Sequence, residues 1–348
     1  MASSSAPHVA GHRQGLYVGS YGHGIALAVA DPATGLATRV GTAADTPDPS
    51  YLAISHDRRV LYAVNELDAG TVSAFAVAPD GVLRPLGSRP TYGASPCHVH
   101  VHPSGRYVLS ANYGSGSVTV HPVDADGALE EPSDVVRHTG SGPDPARQQG
   151  PHAHQIVTDP AGGFVHAVDL GADAVFTYRL RAGKLAPAGE MRTRPGSGPR
   201  HLSFHPSGRQ AYLTEELTST VTACTYAPEQ GRLTAVQTLA TAPRTDTRNY
   251  PSELLVSADG RFVYVANRGH NSVAVFAVDG DRLTARGTVP SGGDWPRHIA
   301  FSRDGHFLYA ANQKSGQLAT LRVDRRDGSL TPAGPALSSG TPTMVLPV

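Results

Sequence analysis

A unit of roughly forty-five residues recurs along this chain, and the recurrence limits what the chain can fold into. Its clearest copy is Gly198–Gly231, GPRHLSFHPSGRQAYLTEELTSTVTACTYAPEQG. The copy reads as a proline, a short run to Phe204, the turn HPSG, a second run to Glu215, a polar turn and a third run to Tyr226. A fourth run, Leu233 to Ala240, follows. Four strands in about forty-five residues make one blade of a β-propeller. The opening proline returns as Pro49, Pro96, Pro151, Pro199, Pro251, Pro296 and Pro342, at intervals of 47, 55, 48, 52, 45 and 46 residues. Seven openings predict an all-β, seven-bladed β-propeller with four-stranded blades.

Alignment of the copies separates repeated residues from exceptions. A Gly- or Asp-containing turn follows each first strand, as in HDRR at 56–59, HPSG at 102–105 and 205–208, and RDGH at 303–306. A polar pair follows most second strands: Asn65-Glu66, Asn112-Tyr113, Glu215-Glu216, Asn267-Arg268, Asn312-Gln313, with Asp169-Leu170 in the third copy. Leu16–Tyr21 ends the same way in Ser20-Tyr21 but has no first strand before it. PTMVLPV, at the other end, is a first strand with nothing after it. The two ends are therefore expected to share one blade and close the ring, which removes an open sheet edge.

The even repeat predicts a single domain over 15–348, preceded by a disordered tail over 1–14. That tail is rich in Ser, His and Pro and lacks an apolar h-region, so a cytoplasmic protein is expected. No run of eighteen apolar residues suggests a membrane span. A net charge of zero and a pI near 7.3 leave no electrostatic footprint for nucleic acid. Cys97 and Cys224 fall in different blades, so no disulfide is expected. A monomer or weak homodimer without cofactor fits this reading.

In a four-stranded up-and-down blade, the link into strand one and the turn between strands two and three lie on the same face of the disc. The residues after each proline line the channel mouth, and the second residue of each polar pair joins them. His98, His152, His154, His201, His298, Arg200 and Arg297 converge there with Glu66, Tyr113, Glu216 and Arg268. Arg147 lies in the long link RHTGSGPDPARQQG at 137–150. Long polar links in a compact domain are frequently binding loops. Bland readings compete with some of these residues. His98, His100 and His102 alternate like a metal ladder, yet His102 matches His205 in a repeated turn. The asparagines of the polar pairs recur and read as turn caps. Cys97 has no nucleophile at the matching positions of other copies. Arg200, Glu216 and Arg268 break the repeat with charge and read as functional.

RQQGPHAHQIV, DLGAD, PGSGPRHLSFHPSGRQAYLTEEL, VYVANRGHNSVAVF and WPRHIAFSRDGHFLYAANQ together resemble the seven-bladed lactonase family, over about residues 15 to 348. That family includes propeller-type 6-phosphogluconolactonases and the fungal carboxy-muconate cyclases. The resemblance implies that His152 or His154, Arg200, Glu216 and Arg268 match the site positions of the cyclase branch. Glu215 departs from the Asn more usual before the second Glu.

Chemistry can be read beside the resemblance. Opening a lactone needs a base to activate water and donors for the tetrahedral oxyanion. A histidine such as His154, or Glu216, supplies the base. Arg200 and Arg268 hold the oxyanion and an anionic substrate group, with Arg147 and Arg297 extending the anion site. His98, His201, His298, Glu66 and Tyr113 complete the binding surface. No Ser-His-Asp order or Gly-x-Ser-x-Gly elbow is present, so water attack is expected. Glu66, Glu216 and Glu253 are too few oxygens for calcium beside so many arginines, so no metal is expected. The function expected is metal-independent hydrolysis of an anionic lactone, phosphorylated or carboxylated. The alternatives are a lactonising cyclase, or a non-catalytic propeller that binds a ligand or protein.

Overall fold

The computed structural model describes residues 14–348, and these form seven antiparallel sheets. The expected tail over 1–14 lies outside the described residues except for Gln14, which already opens a strand. Blade 1 holds the strands Tyr51–Ile54, Val60–Asn65, Thr71–Val77 and Leu83–Pro90, in that order. Blades 2, 3, 4 and 5 repeat the pattern from first strands Pro96–Val101, Ala153–Thr158, Pro199–Phe204 and Tyr250–Val256. Blade 6 starts at Pro296–Phe301, and its outer edge is split into two short pieces, Leu330–Pro332 and Leu337–Ser338, both paired with Gln317–Val323. Blade 7 is made from both ends. Pro342–Pro347 is its inner strand and pairs antiparallel with Gln14–Ser20, Tyr17 facing Leu346 and Val18 facing Val345.

Burial follows from the stacking of sheets side by side. Second strands are covered on both faces: Val60–Asn65, Phe262–Arg268 and Phe307–Asn312 are buried at every residue. Such strands read as near-continuous apolar runs without alternation. Outer strands face water, and Lys184–Arg192 is mostly exposed. Apolar clusters fill the gaps between neighbouring blades, as where Tyr17 and Ile25 of blade 7 meet Leu52, Leu61 and Phe75 of blade 1. Buried tyrosines also tie blades by their hydroxyls. Tyr17, Tyr62 and Tyr264 each donate to the carbonyl of a turn glycine, Gly81, Gly127 and Gly328, at 2.9 Å. A buried hydroxyl needs such a partner.

One feature of the inner strands places the site. The ladder slips by one residue at Cys97, His154, Arg200 and Arg297, between Pro96/His98, Ala153/Gln155, Pro199/His201 and Pro296/His298. A bulge re-aims the side chain it carries. The third blade corrects the sequence alignment here. Ala153 faces Asp169 as Pro199 faces Glu215, so the structural repeat opens at Ala153 and Pro151 precedes it. His154 is thus the counterpart of Arg200, and His152 lies in the incoming link.

Candidate active site

Four side chains from two blades and one link form the centre of the mouth. Arg200 comes from the bulge of blade 4, and Glu216 from the second turn of the same blade. Arg268 ends the second strand of blade 5. Arg147 reaches in from the link before blade 3. Glu216 Oε2 lies 2.6 Å from Arg268 Nη2 and 3.2 Å from Arg200 Nε, and Oε1 lies 2.8 Å from Arg147 Nη2. Glu216, Arg200 and Arg268 are only 3%, 3% and 5% exposed. Burial pushes the Glu216 carboxyl up, but Arg268, Arg200 and Arg147 outweigh it and hold it down at about 2. Arg268 also donates to the carbonyls of Tyr250 and Pro251. Arg200 is different. Its Nε faces Glu216 without hydrogen-bond alignment, and neither Nε nor Nη1 has a hydrogen-bond partner. Burial, then the Arg268 charge, lowers its guanidinium to about 9, so it stays charged at neutral pH.

The two histidines of PHAH differ in setting. His152 is half-buried, and its ring stacks on Tyr113 at 4.5 Å between centres. Its Nδ1 lies 2.9 Å from the Tyr113 carbonyl, which can only accept, so Nδ1 carries a proton, and in the neutral ring Nε2 is the acceptor. Tyr113 in turn accepts from Arg147 Nη2 at 3.1 Å, which links this ring to the arginine cluster. The His152 N–H donates to Asp169 Oδ1 at 2.7 Å, and Asp169 Oδ2 meets buried His138 at 2.7 Å. His154 is buried. Burial, then the Arg200 charge, holds its ring well below the usual histidine range, and its Nδ1 has no partner.

Below the mouth lies a layer of rings. Tyr51 contacts His98 at 4.3 Å, His298 at 5.6 Å and His201 at 6.1 Å between ring centres. Glu253 binds this layer together: His201 Nδ1 lies 3.0 Å from Oε1, and His298 Nε2 lies 3.3 Å from Oε2. Burial, the first cause for all three, depresses His98, His201 and His298, the last to about 4. Burial also raises the Glu253 carboxyl. Across the mouth, Tyr21 donates to Glu66 Oε1 at 2.9 Å, and Arg297 Nη2 lies 3.7 Å from Glu66 Oε2 and packs over the Tyr21 ring.

A family model described as lactonase, 7-bladed beta-propeller, matches residues 15–347. The chain belongs to the seven-bladed β-propeller lactonase family. It is 41% identical over 259 residues to the 6-phosphogluconolactonase of Bacillus subtilis, covering 73% of this chain and 74% of that protein. It is 34% identical over 277 residues to a probable 6-phosphogluconolactonase of Arthroderma benhamiae, covering 76% and 70%. The solved periplasmic gluconolactonase of Pseudomonas aeruginosa superposes with a TM-score of 0.92 at 35% identity, covering 97% of this chain and 99% of that one. These relatives make this lactonase an enzyme that acts on a lactone. They do not fix its compartment, since one is periplasmic by name; among the described residues no helix is long and apolar enough to cross a membrane.

The lactonase mouth brings together Arg147, Arg200, Glu216, Arg268, Tyr113, His152 and His154. His98, His201 and His298 lie in the layer beneath, and Arg297 with Glu66 forms a separate pair. The ladder of histidines is not a unit. His100 Nε2 bonds Thr158 Oγ1 at 2.8 Å, and His102 Nδ1 bonds Ser104 Oγ at 2.9 Å, as His205 does Ser207 at 2.8 Å. The asparagines cap turns; Asn65 Nδ2 donates to Thr46 and Pro47, and its Oδ1 accepts from Thr71 and Ser73. Glu215 fills that role in blade 4 by accepting from Thr220 and Thr222 at 2.7 and 3.0 Å. The Cys97 thiol sits 3.3 Å from the His154 carbonyl, and burial raises it far above the reactive range. Sequence reasoning gave no role to Lys314, which lies over the Trp295 ring that Arg268 also packs against. It also missed His138, whose pairing with Asp169 spans 31 residues and leaves no local signal.

Proposed function

We propose that the mouth hydrolyses an anionic, sugar-type lactone, phosphorylated or carboxylated, by attack of water without a metal ion. The observation that carries this reading is Arg200, a buried, charged guanidinium whose Nε–H and Nη1–H have no hydrogen-bond partner. Buried donors left unmade are costly, and they suit an oxygen that the substrate brings. Glu216 is a poor base, because a carboxyl held at about 2 takes up a proton weakly at neutral pH. Its part is to hold Arg147, Arg200 and Arg268 in one fan. His154 is also disfavoured as base, since its protonation would set a cation beside Arg200. His152 is the base in this reading. Its Nε2 takes a proton from water as the water oxygen adds to the lactone carbonyl. Arg200 and Arg268 donate to the developing oxyanion. When the ring C–O bond breaks, protonated His152 returns the proton to the leaving oxygen, giving the open hydroxy acid.

The relatives named for 6-phosphogluconolactone and gluconolactone support the substrate class. The test is hydrolysis of 6-phosphogluconolactone, glucono-δ-lactone and a carboxylated lactone by purified protein, with and without EDTA. Hydrolysis that survives chelation is expected. Activity lost to EDTA and restored by one metal would overturn the metal-free step. His152→Asn is expected to lower kcat by about 100-fold or more, and His154→Asn by less. The reverse order moves the base to His154.

A further inference from the structure

Trp295 is the one tryptophan of the chain, and it stands where three other blades place a small or polar residue. The residue before the opening proline is Asp48, Ser95 and Gly198 in three other blades. All three share left-handed backbone with Trp295, at φ of 42°, 49°, 60° and 68°. That conformation disfavours a bulky side chain, so an indole here needs a reason beyond the turn. The loop that carries it is pinned. Trp295 N–H donates to Asn271 Oδ1 at 2.9 Å, and Asn271 Nδ2 donates to Asp294 Oδ1 at 2.7 Å.

The indole holds two cations. The Arg268 guanidinium carbon lies 5.6 Å from its ring centre, and Lys314 Nζ lies over it at 3.4 Å. Tyr250 backs the ring at 5.9 Å. Lys314 is exposed, and no carboxylate among the described residues pairs with its ammonium. Arg268, by contrast, already pairs with Glu216 and donates to two carbonyls through Nε and Nη2. Because the two cations share one ring, Lys314 stands beside the arginine that Glu216 holds at the mouth.

We propose that Lys314, seated on Trp295, is a specificity-determining residue that takes the distal phosphate of a phosphorylated sugar lactone. This rests on the lactonase reading of the mouth and deepens it. The arginine fan faces the reacting carbonyl, while a mobile, compact ammonium beside it meets a phosphate dianion. A neutral sugar lactone gains nothing from Lys314, so the residue sorts substrates by charge at the end remote from the chemistry. Phosphate binding draws the ammonium off the indole face, and the single tryptophan reports it.

The test uses the full chain. Its tryptophan emission is titrated with 6-phosphogluconate, gluconate and inorganic phosphate, and kcat/KM is measured on 6-phosphogluconolactone and glucono-δ-lactone. A saturable emission change is expected with 6-phosphogluconate at roughly tenfold lower concentration than with gluconate. Lys314→Met is expected to abolish that difference and to lower the phosphorylated-to-unphosphorylated ratio of kcat/KM about tenfold, through KM. Lys314→Arg restores most of the ratio, and Lys184→Met, at the remote outer strand of blade 3, leaves it unchanged. An unchanged ratio in Lys314→Met, or emission that responds alike to 6-phosphogluconate and gluconate, overturns the inference while lactonase activity stands. If no lactone is hydrolysed, the titration still decides. A phosphate-dependent change lost in Lys314→Met keeps the subsite and removes the hydrolytic reading; no change removes the subsite.

Discussion

Glu216 is satisfied by three guanidiniums at once, and removing its charge separates two roles that one residue combines. In Glu216→Gln the shape stays, but Arg200 and Arg268 become buried cations without a counter-charge. Breaking a buried pair from one side typically costs about 3–5 kcal/mol, because the partner is left unpaired. We therefore expect a loss of about 3 kcal/mol in chemical denaturation. Turnover is expected to fall about tenfold or more, since the fan of donors loses its anchor. Wild-type stability in Glu216→Gln would mean that the ion pairs do not hold the mouth together. Arg268→Ala acts differently: it leaves Arg147 and Arg200 on Glu216, so its larger effect is expected on KM for an anionic lactone.

At the scale of strands and links, the position of His152 depends on close backbone approach. A Cβ added at Gly171 would come 1.9 Å from the Gly150 carbonyl and 2.8 Å from the His152 ring, so the 150–152 link must move. Gly171→Ala is expected to cost about 2–3 kcal/mol and to lower kcat more than tenfold, although residue 171 bears no side chain at the mouth. Unaltered kcat would separate the link from the chemistry. The same link shows what a sequence can and cannot display. The blade count was legible because each strand–turn unit repeats its own local signals, and ring closure was legible because the two chain ends are complementary fragments of that unit. The opening of blade 3 was not. Pro151 imitates the repeat, while register is set by the pairing of Ala153 with Asp169, which lies across the sheet. Arg200, Glu216 and Arg268 stood out by breaking a repeated pattern with charge. Lys314 did not, because its meaning comes from the indole that Trp295 presents after folding.

The ring as a whole stores neutral histidines, and this gives it a direction of pH sensitivity. Burial leads the causes that depress His98, His154 and His201 well below 6.5, His100, His121 and His298 to about 4, and His166 to about 3. Above an unfolded value of about 6.5, both states are neutral and these groups add no pH dependence. Below it, the unfolded chain takes up protons that the folded ring refuses, so stability falls as pH drops from about 6.5 towards 4. His298 alone corresponds to a loss on the order of 3 kcal/mol across that window. Glu216 acts in the same sense lower down: its folded value of about 2 against an ordinary 4.5 removes stability between those values. Glu253 opposes them, since its raised carboxyl keeps a proton that the unfolded chain has released. One carboxyl does not offset seven rings. Denaturant midpoints measured from about pH 8 to about pH 4 are therefore expected to stay level down to about pH 7 and then fall steeply, with a slope of several protons. Because each blade seals its neighbours and the last strand closes on Gln14–Ser20, the loss is expected as one cooperative transition. Midpoints that hold or rise between about pH 7 and about pH 5 would show that these rings are protonated in the folded state and that the layer beneath the mouth is wet.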